Sequence, residues 1–365
     1  MKKNEIWRSY GTDYKDMTKR LLEKSGAADL LPAPTARIAL KPNLAVPVPA
    51  DFGGTTHPQV VAGVIEFLKE RGFSDIVVAE GSWVGDKTSD AFDYCGYYDL
   101  EREYGVTLID TQKEKGFAAD CAGETLNICS CVRDWDFLIN IPVLKGHCQT
   151  SITCALKNMK GLIPNSEKRR FHTMGLHKPI AHLNSFIKQD LIVVDHICGD
   201  LTFEEGGNPV TRNCVMCAAD PVLVDALVCS LLHHEISDVP YVTMADRLGV
   251  GSSDLAALRL ITCEGEAYED LPERDILDVV YGVDEVESCS ACYGTLLPVL
   301  DRLKEEGLLG LLPDRISIGQ GHRGKSGALG VGSCTSGFDF SVPGCPPDEE
   351  DLYRALKELA LRSRP

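Results

Sequence analysis

Short apolar runs of strand length alternate with longer segments of helical periodicity from residue 36 onward. That alternation is the pattern of an α/β chain, with a mostly parallel sheet and flanking helices. ARIALKPNLAV (36–46) reads as a buried strand ending at a Lys41-Pro42-Asn43 turn. His57-Pro58 then opens a helix in which Val60, Val61, Val64, Ile65 and Leu68 fall at helical spacing, with Gly72 where a C-terminal cap belongs. DIVVAEGS (75–82) completes a βαβ unit whose strand ends carry Asn43 and Glu80. Open parallel sheets bind ligands at the carboxyl ends of their strands, so these two residues mark the first place for a site. Further strands are expected at 106–110, 136–144, 190–197 and 212–219, and Asp220-Pro221 starts a helix with an N-cap carboxylate and a first-turn proline.

The character changes near residue 284, after which the chain is rich in glycine and cysteine and closes with an amphipathic helix over 349–362. We expect an α/β domain over 1–283, with a division into two lobes near 135, and a C-terminal cluster-binding subdomain over 284–365. A formal net charge of −17 excludes nucleic-acid phosphate and anionic membrane as primary ligands. No apolar run approaches the roughly 20 residues of a membrane helix. The first residues carry lysines with no apolar stretch behind them, unlike a secretory signal. A cytoplasmic protein is expected, and there its 15 cysteines serve packing, metal binding or catalysis rather than disulfides.

Cys289 and Cys292 form C-x2-C, and Cys334 and Cys345 follow within GVGSCTSG and VPGCPP. Four thiolates suit a structural zinc or a [4Fe–4S] cluster, and spacing alone does not choose. ALGVGSCTSG followed by VPGCPPDEEDLYRAL resembles the cluster-binding end of the small subunits of respiratory complex I and of nickel–iron hydrogenases. That resemblance covers about the last forty residues, implies a [4Fe–4S] cluster, and carries over Cys334 and Cys345; the C-x2-C pair differs from those subunits' arrangement. Cys214 and Cys217 lie in a strand-like run, where residues three apart point to opposite faces, so they read as structural. Cys95, Cys121, Cys154, Cys198, Cys229 and Cys263 read as small buried hydrophobes. Cys129, Cys131 and Cys148 stay open.

The most informative stretch of the main body is INIPVLKGHCQTSITCALKNMKGLIPN (139–165). A strand ends at Lys145, Gly146 and His147, and a helix is expected to put Thr150, Thr153 and Lys157 on one face, beside Asn158, before Gly161 stops it. Lysines, a histidine and free helix amides together suit a carboxylate or phosphate ligand. Lys168, Arg169, Arg170, His172, His177, Lys178 and His182 form a basic loop, either a solvated surface or a lid over an anion. The glycine-rich stretch 319–333 lacks Walker or dinucleotide spacing, so its glycines are read as letting backbone approach the cluster, near His322, Arg323 and Lys325.

KPNLAVPVPADFGGTTHPQVV, VVAEGS, LINIPVLKGHCQTSITCALKNMKGLIP, VVDHICG and AADPVLVDALVCSLL together resemble the family called domain of unknown function 362, over about residues 36–260. The resemblance implies a fold and a site location at Lys41, Asn43, Glu80, Lys145, His147, Thr150, Lys157, Asn158 and Asp195, and no reaction. Some members carry ferredoxin-type cysteine runs; none occurs here, and the dispersed quartet stands in for one. The expectation is an iron–sulfur oxidoreductase or lyase acting on a small anion. Lys41, Asn43, Thr150, Lys157 and Asn158 would bind it, and His147, Lys145, Glu80 and Asp195 would do the chemistry, with Glu80 or Asp195 orienting the His147 imidazole or binding a cation. The alternatives are a non-catalytic electron carrier docking to a redox protein partner, and an enzyme with a structural zinc.

Overall fold

Apolar runs become strands wherever both of their faces are covered, and in the centre of this sheet every position is buried. The structure, a computed structural model, describes residues 1–266, 271, 272, 277–280, 282–313 and 315–362. They separate into two compact units. The first takes residues 1–82, 86–168 and, among those described, 176–272; the second takes 83–85, 169–175 and, among those described, 277–362.

In the first unit the strands are β1 (Glu5–Tyr10), β2 (Ile38–Pro42), β3 (Ile76–Glu80), β4 (Thr107–Asp110), the hairpin β5 (Gly116–Cys121) and β6 (Glu124–Cys129), and β7 (Phe137–Ile141). A second hairpin, β8 (Lys145–His147) and β9 (Ser151–Thr153), precedes β10 (Leu191–Asp200), β11 (Pro209–Ala218) and β12 (Arg259–Glu264). The main sheet has the order β12-β1-β11-β10-β7-β2-β3-β4. Strands β10, β7, β2, β3 and β4 run parallel, and β11 is antiparallel to both β10 and β1. Strands β2, β3 and β7 are buried at every position, as a sheet covered on both faces requires. Strand β2 pairs with β7, so residues on both sides of 135 share one sheet. Strands β1 and β12 have no counterpart in the sequence reading, because their burial is too partial to leave a periodic apolar signal.

The helix Pro58–Lys69 starts at its proline and buries Val60, Val61, Val64, Ile65 and Leu68. Each such side chain is worth about 1.5–3 kcal/mol when fully buried. It packs on the helix Tyr14–Lys24 at Gly63, where a Cβ would lie 2.4 Å from the Lys15 carbonyl oxygen, so the contact requires glycine. Asp220 caps Pro221–Leu231 as its sequence predicts, accepting from the amides of Val222 and Leu223 at 2.9 and 3.0 Å. Among the described residues no helix is long and apolar enough to cross a membrane.

The second unit has one sheet of four short parallel strands in sequence order, β13 (Val283–Glu285), β14 (Ile316–Ile318), β15 (Leu329–Val331) and β16 (Phe340–Val342). The helix Ser290–Glu305 follows β13 and buries Leu296, Leu297, Leu300 and Leu303. The last helix, Glu349–Arg362, has the predicted bounds and buries Leu352 and Leu356.

Candidate functional site

Because β13 to β16 all run the same way, their carboxyl ends share one edge of the small sheet, and the four cysteines follow from those ends. Cys289 is the residue just before the helix Ser290–Glu305, and Cys292 lies in its first turn, three residues on and on the same face. Gly332-Ser333-Cys334 leaves β15, and Pro343-Gly344-Cys345 leaves β16. All four cysteines line one cleft with Arg169, Arg323, Gly319, Gly332 and Gly344; it encloses about 330 Å³, open solvent included. Gly332 and Gly344 have φ of +87° and +136°, a backbone that side chains strain to adopt. A Cβ on Gly332 would lie 3.8 Å from the Cys292 sulfur. Arg323 Nε donates to Cys334 Sγ at 3.4 Å. Burial, and then the charge of the other three sulfurs, pushes the Cys292 thiol up to about 12. Four crowded thiolates therefore need a cation to gather them, and this donor set fits a tetrathiolate zinc or a [4Fe–4S] cluster.

In the first unit the sequence-expected residues come together at the strand ends but divide into separate networks. Lys41 Nζ donates to Glu80 Oε2 at 2.7 Å and to the Pro42 carbonyl at 2.7 Å, with Asn158 Oδ1 at 3.4 Å. Glu80 also accepts from the amides of Leu44 and Gly81. Gly161 closes over the pair, since a Cβ there would lie 2.1 Å from Glu80 Oε1 and 2.6 Å from Lys41 Nζ. Lys41 and Glu80, expected to bind substrate and do chemistry, are thus bonded to each other in the interior.

A second network surrounds Glu204, which sequence reasoning missed. His147 Nε2 lies 2.8 Å from Glu204 Oε2, and Lys157 Nζ donates to Glu204 Oε1. His147 Nδ1 accepts from the amides of Gln149 and Thr150 at 2.9 and 3.2 Å, so the ring proton belongs on Nε2. Burial holds His147 down to about 4. Glu204 is well below the usual carboxylate range; burial opposes this, and His147 and Lys157 outweigh it. Lys145 Nζ donates to the carbonyls of Gly54 and Glu204 at 2.6 and 2.5 Å, with Asn43 Oδ1 at 3.5 Å, and burial brings it down to about 8. Neighbouring Glu205 has both carboxylate oxygens buried with no hydrogen-bond partner among the described residues. Burial, with the Glu204 charge adding to it, pushes Glu205 up to about 8. The only sequence signal was an acidic pair before Gly206-Gly207.

Several expectations change. Thr150 and Thr153 are not on a helix: Thr150 lies in the turn of the β8–β9 hairpin, Thr153 ends β9, and the α-helix is the single turn Ala155–Asn158. Its first amides, Ala155 and Leu156, donate to Asp225 at 2.7 and 3.0 Å, so the expected anion site at that helix end is filled by a side chain from 70 residues away. The basic loop is instead two helices, Asn165–Thr173 and His177–Phe186. Within it Lys168 is buried against the carbonyls of Gly81 and Ser82, Lys178 pairs with Glu124, and His182 Nδ1 meets the Cys121 carbonyl. Asp195 does not orient His147. Its Oδ2 accepts from the His57 backbone amide at 2.7 Å and meets His57 Nδ1 at 2.8 Å. Burial opposes a charge on that ring, but Asp195 outweighs it and the pKa is pushed up to about 11. Each of the fifteen cysteines is a free thiol, and Cys214 and Cys217 are buried along β11 as expected.

The sequence profile of the family described as Domain of unknown function (DUF362) matches residues 38–230, more than half of the chain. A thylakoid-associated protein of Synechocystis sp. is 25% identical over 246 residues, which are 64% of this chain and 74% of that protein. Among solved structures, the lactate racemase apoprotein of Thermoanaerobacterium thermosaccharolyticum aligns over 64% of this chain and 57% of its own, with a TM-score of 0.40 and 14% identity. A likeness that loose carries no argument.

Proposed function

Because the chain belongs to the DUF362 family, whose description assigns no activity, we propose its function from its own side chains: an iron–sulfur redox enzyme acting on a small carboxylate- or phosphate-bearing molecule. The observation that carries this reading is the gathering of Cys289, Cys292, Cys334 and Cys345 around one cleft. A cluster held by these four thiolates supplies single-electron transfer. Glycine backbone lining the cleft suits amide contacts to cluster sulfur. The Gly-Cys-Pro-Pro turn at 344–347 adds the resemblance to complex I and hydrogenase small subunits. A reduced, cytoplasmic setting fits fifteen free thiols.

The substrate in this reading takes the place of the Glu204 carboxylate, against His147 and Lys157. His147 then acts as a neutral hydrogen-bond donor through Nε2. Glu205, protonated near neutral pH, holds the proton available for transfer, a role the sequence assigned to His147. Lys145 positions the loop by its bonds to the Gly54 and Glu204 carbonyls.

One observation favours the alternative of an electron carrier: every lysine in the expected anion site already has a hydrogen-bond partner, and His147 Nε2 faces Glu204 Oε2 at 2.8 Å. Anaerobic purification with iron and acid-labile sulfide analysis and paramagnetic resonance tests the cluster. About four irons and four sulfides per chain are expected, lost in Cys292→Ser. A colourless protein carrying one zinc at the quartet would overturn the reading. Thermal stabilisation by small carboxylates or phosphate separates enzyme from carrier.

A further inference from the structure

Away from the four C-terminal cysteines, Asp51, His57 and Cys198 bring three different ligand atoms within 4.8 Å of one another. The His57 Nε2 atom is 3.3 Å from Asp51 Oδ1 and 3.6 Å from Cys198 Sγ. A nitrogen-to-oxygen separation of 3.3 Å is long for a hydrogen bond between charged groups. Both separations are within hydrogen-bonding reach, and both are also the lengths expected when the three atoms ligate one ion. In a tetrahedron with zinc bonds of about 2.05 Å to N and O and about 2.3 Å to S, the N···O edge is about 3.3–3.4 Å and the N···S edge about 3.6 Å.

Three further features point the same way. His57 Nδ1 is held by Asp195 Oδ2 at 2.8 Å, the carboxylate–histidine arrangement that fixes a ligating imidazole and aims its other nitrogen. Strand β10 breaks register between His196 and Cys198. In an unbroken strand residues 195 and 198 would face opposite sides; the irregularity lets Asp195 and Cys198 serve the two nitrogens of one ring. Gly53, with φ of +83°, packs its backbone directly on β10, where a Cβ would lie 2.6 Å from the Asp200 amide nitrogen and 2.7 Å from the Cys198 carbonyl oxygen. That approach fixes the Ala50–Phe52 turn, and with it Asp51, over Cys198. The ring and the thiol are buried, while the Asp51 side chain is 90% exposed, so the group opens to solvent on one side.

We propose that Asp51, His57 and Cys198 hold a divalent d-block cation, zinc or an ion of similar preference, in a tetrahedral site with its fourth position open to solvent. One carboxylate, one imidazole and one thiolate are donors that zinc accepts together, and magnesium or calcium would not take the sulfur. On binding, the ion replaces the proton on His57 Nε2 and the Cys198 thiol proton, which donates to the Ala50 carbonyl at 3.5 Å; both protons leave to solvent. The open position is the one at which catalytic zinc sites carry water or substrate. This site stands whether or not the C-terminal cysteines hold iron.

The test uses the full-length, as-purified chain with Zn(II) in competition with a chromophoric chelator, and Co(II) as a spectroscopic probe. The wild type should bind one ion more per chain than Cys198→Ser, with a thiolate-to-cobalt charge-transfer band that the variant lacks. Asp195→Asn should weaken binding about 10–100-fold while leaving the stoichiometry intact. Asp51→Asn changes an exposed side chain and keeps the test valid if the buried variant misfolds; it should lower affinity at least about tenfold on loss of a ligand. Iron content should be the same in all four proteins, which separates this site from the cluster. Equal Zn(II) stoichiometry and affinity in wild type and Asp51→Asn, or an unchanged cobalt spectrum in Cys198→Ser, would overturn the assignment.

Discussion

Glu204→Ala tests whether the buried cations around Glu204 form a receptor for a small anion. The carboxylate is nearly enclosed, 2.8 Å from His147 Nε2 and bonded to Lys157 Nζ. Removing it leaves the Lys157 ammonium with Thr153 Oγ1 at 3.3 Å as its remaining hydrogen bond among those described. Breaking a buried ion pair from one side costs about 3–5 kcal/mol, because the other charge stays buried without compensation. Against a typical total of about 5–15 kcal/mol, the loss should be plain in a denaturant midpoint. The vacated space has the size of a carboxylate and faces the Lys157 ammonium, so formate should fill it. At a hundredfold excess over its dissociation constant a ligand returns about 2.7 kcal/mol, more than half of the loss. The assay is urea unfolding of wild type and variant, with sodium formate against sodium chloride at equal ionic strength. A loss below about 1 kcal/mol, or equal recovery in both salts, would refute the argument that these cations bind a carboxylate at this place.

Other consequences follow from the same packing. His147 and His196 are each held down to about 4 by burial, whereas the unfolded chain protonates them near 6.5. The unfolded state therefore binds more protons between those values, and stability should fall as pH drops from about 6.5 towards 4. Replacing His196 by Phe should flatten that slope in pH-dependent urea unfolding. Gly161→Ala drives a methyl into the Lys41–Glu80 pair, 2.1 Å from a carboxylate oxygen, and should destabilise by about 3 kcal/mol by calorimetry. Asp225→Ala uncaps Ala155 and Leu156 and should cost about 2 kcal/mol, with faster amide exchange at those two positions.

The Lys145–Asn158 segment shows where pattern reading failed. Thr150, Thr153 and Lys157 have helical spacing, yet the β8–β9 hairpin occupies most of the segment. Its backbone pairs across the turn, and Gly146 fits where a Cβ would strike the Leu201 carbonyl oxygen at 2.1 Å. A tertiary contact decided the local structure there. The four C-terminal cysteines were legible because each carries its own local signal, a glycine or a second cysteine within three residues. Asp51, His57 and Cys198 were not, since each reads singly as turn, helix start or buried thiol.

The sequence by itself determined the strands and helices whose apolar period and end residues lie within one segment: the βαβ unit at 36–82, the capped helix at 221, and the last helix at 349–362. Tertiary structure alone decided what each buried charge meets. Lys157 finds Glu204 across 47 residues, Ala155 finds Asp225 across 70, and His57 finds Asp195 across 138. Periodicity and turn chemistry act between neighbours in the chain, whereas a buried charge is satisfied by whichever strand end or loop the packing brings within about 3 Å.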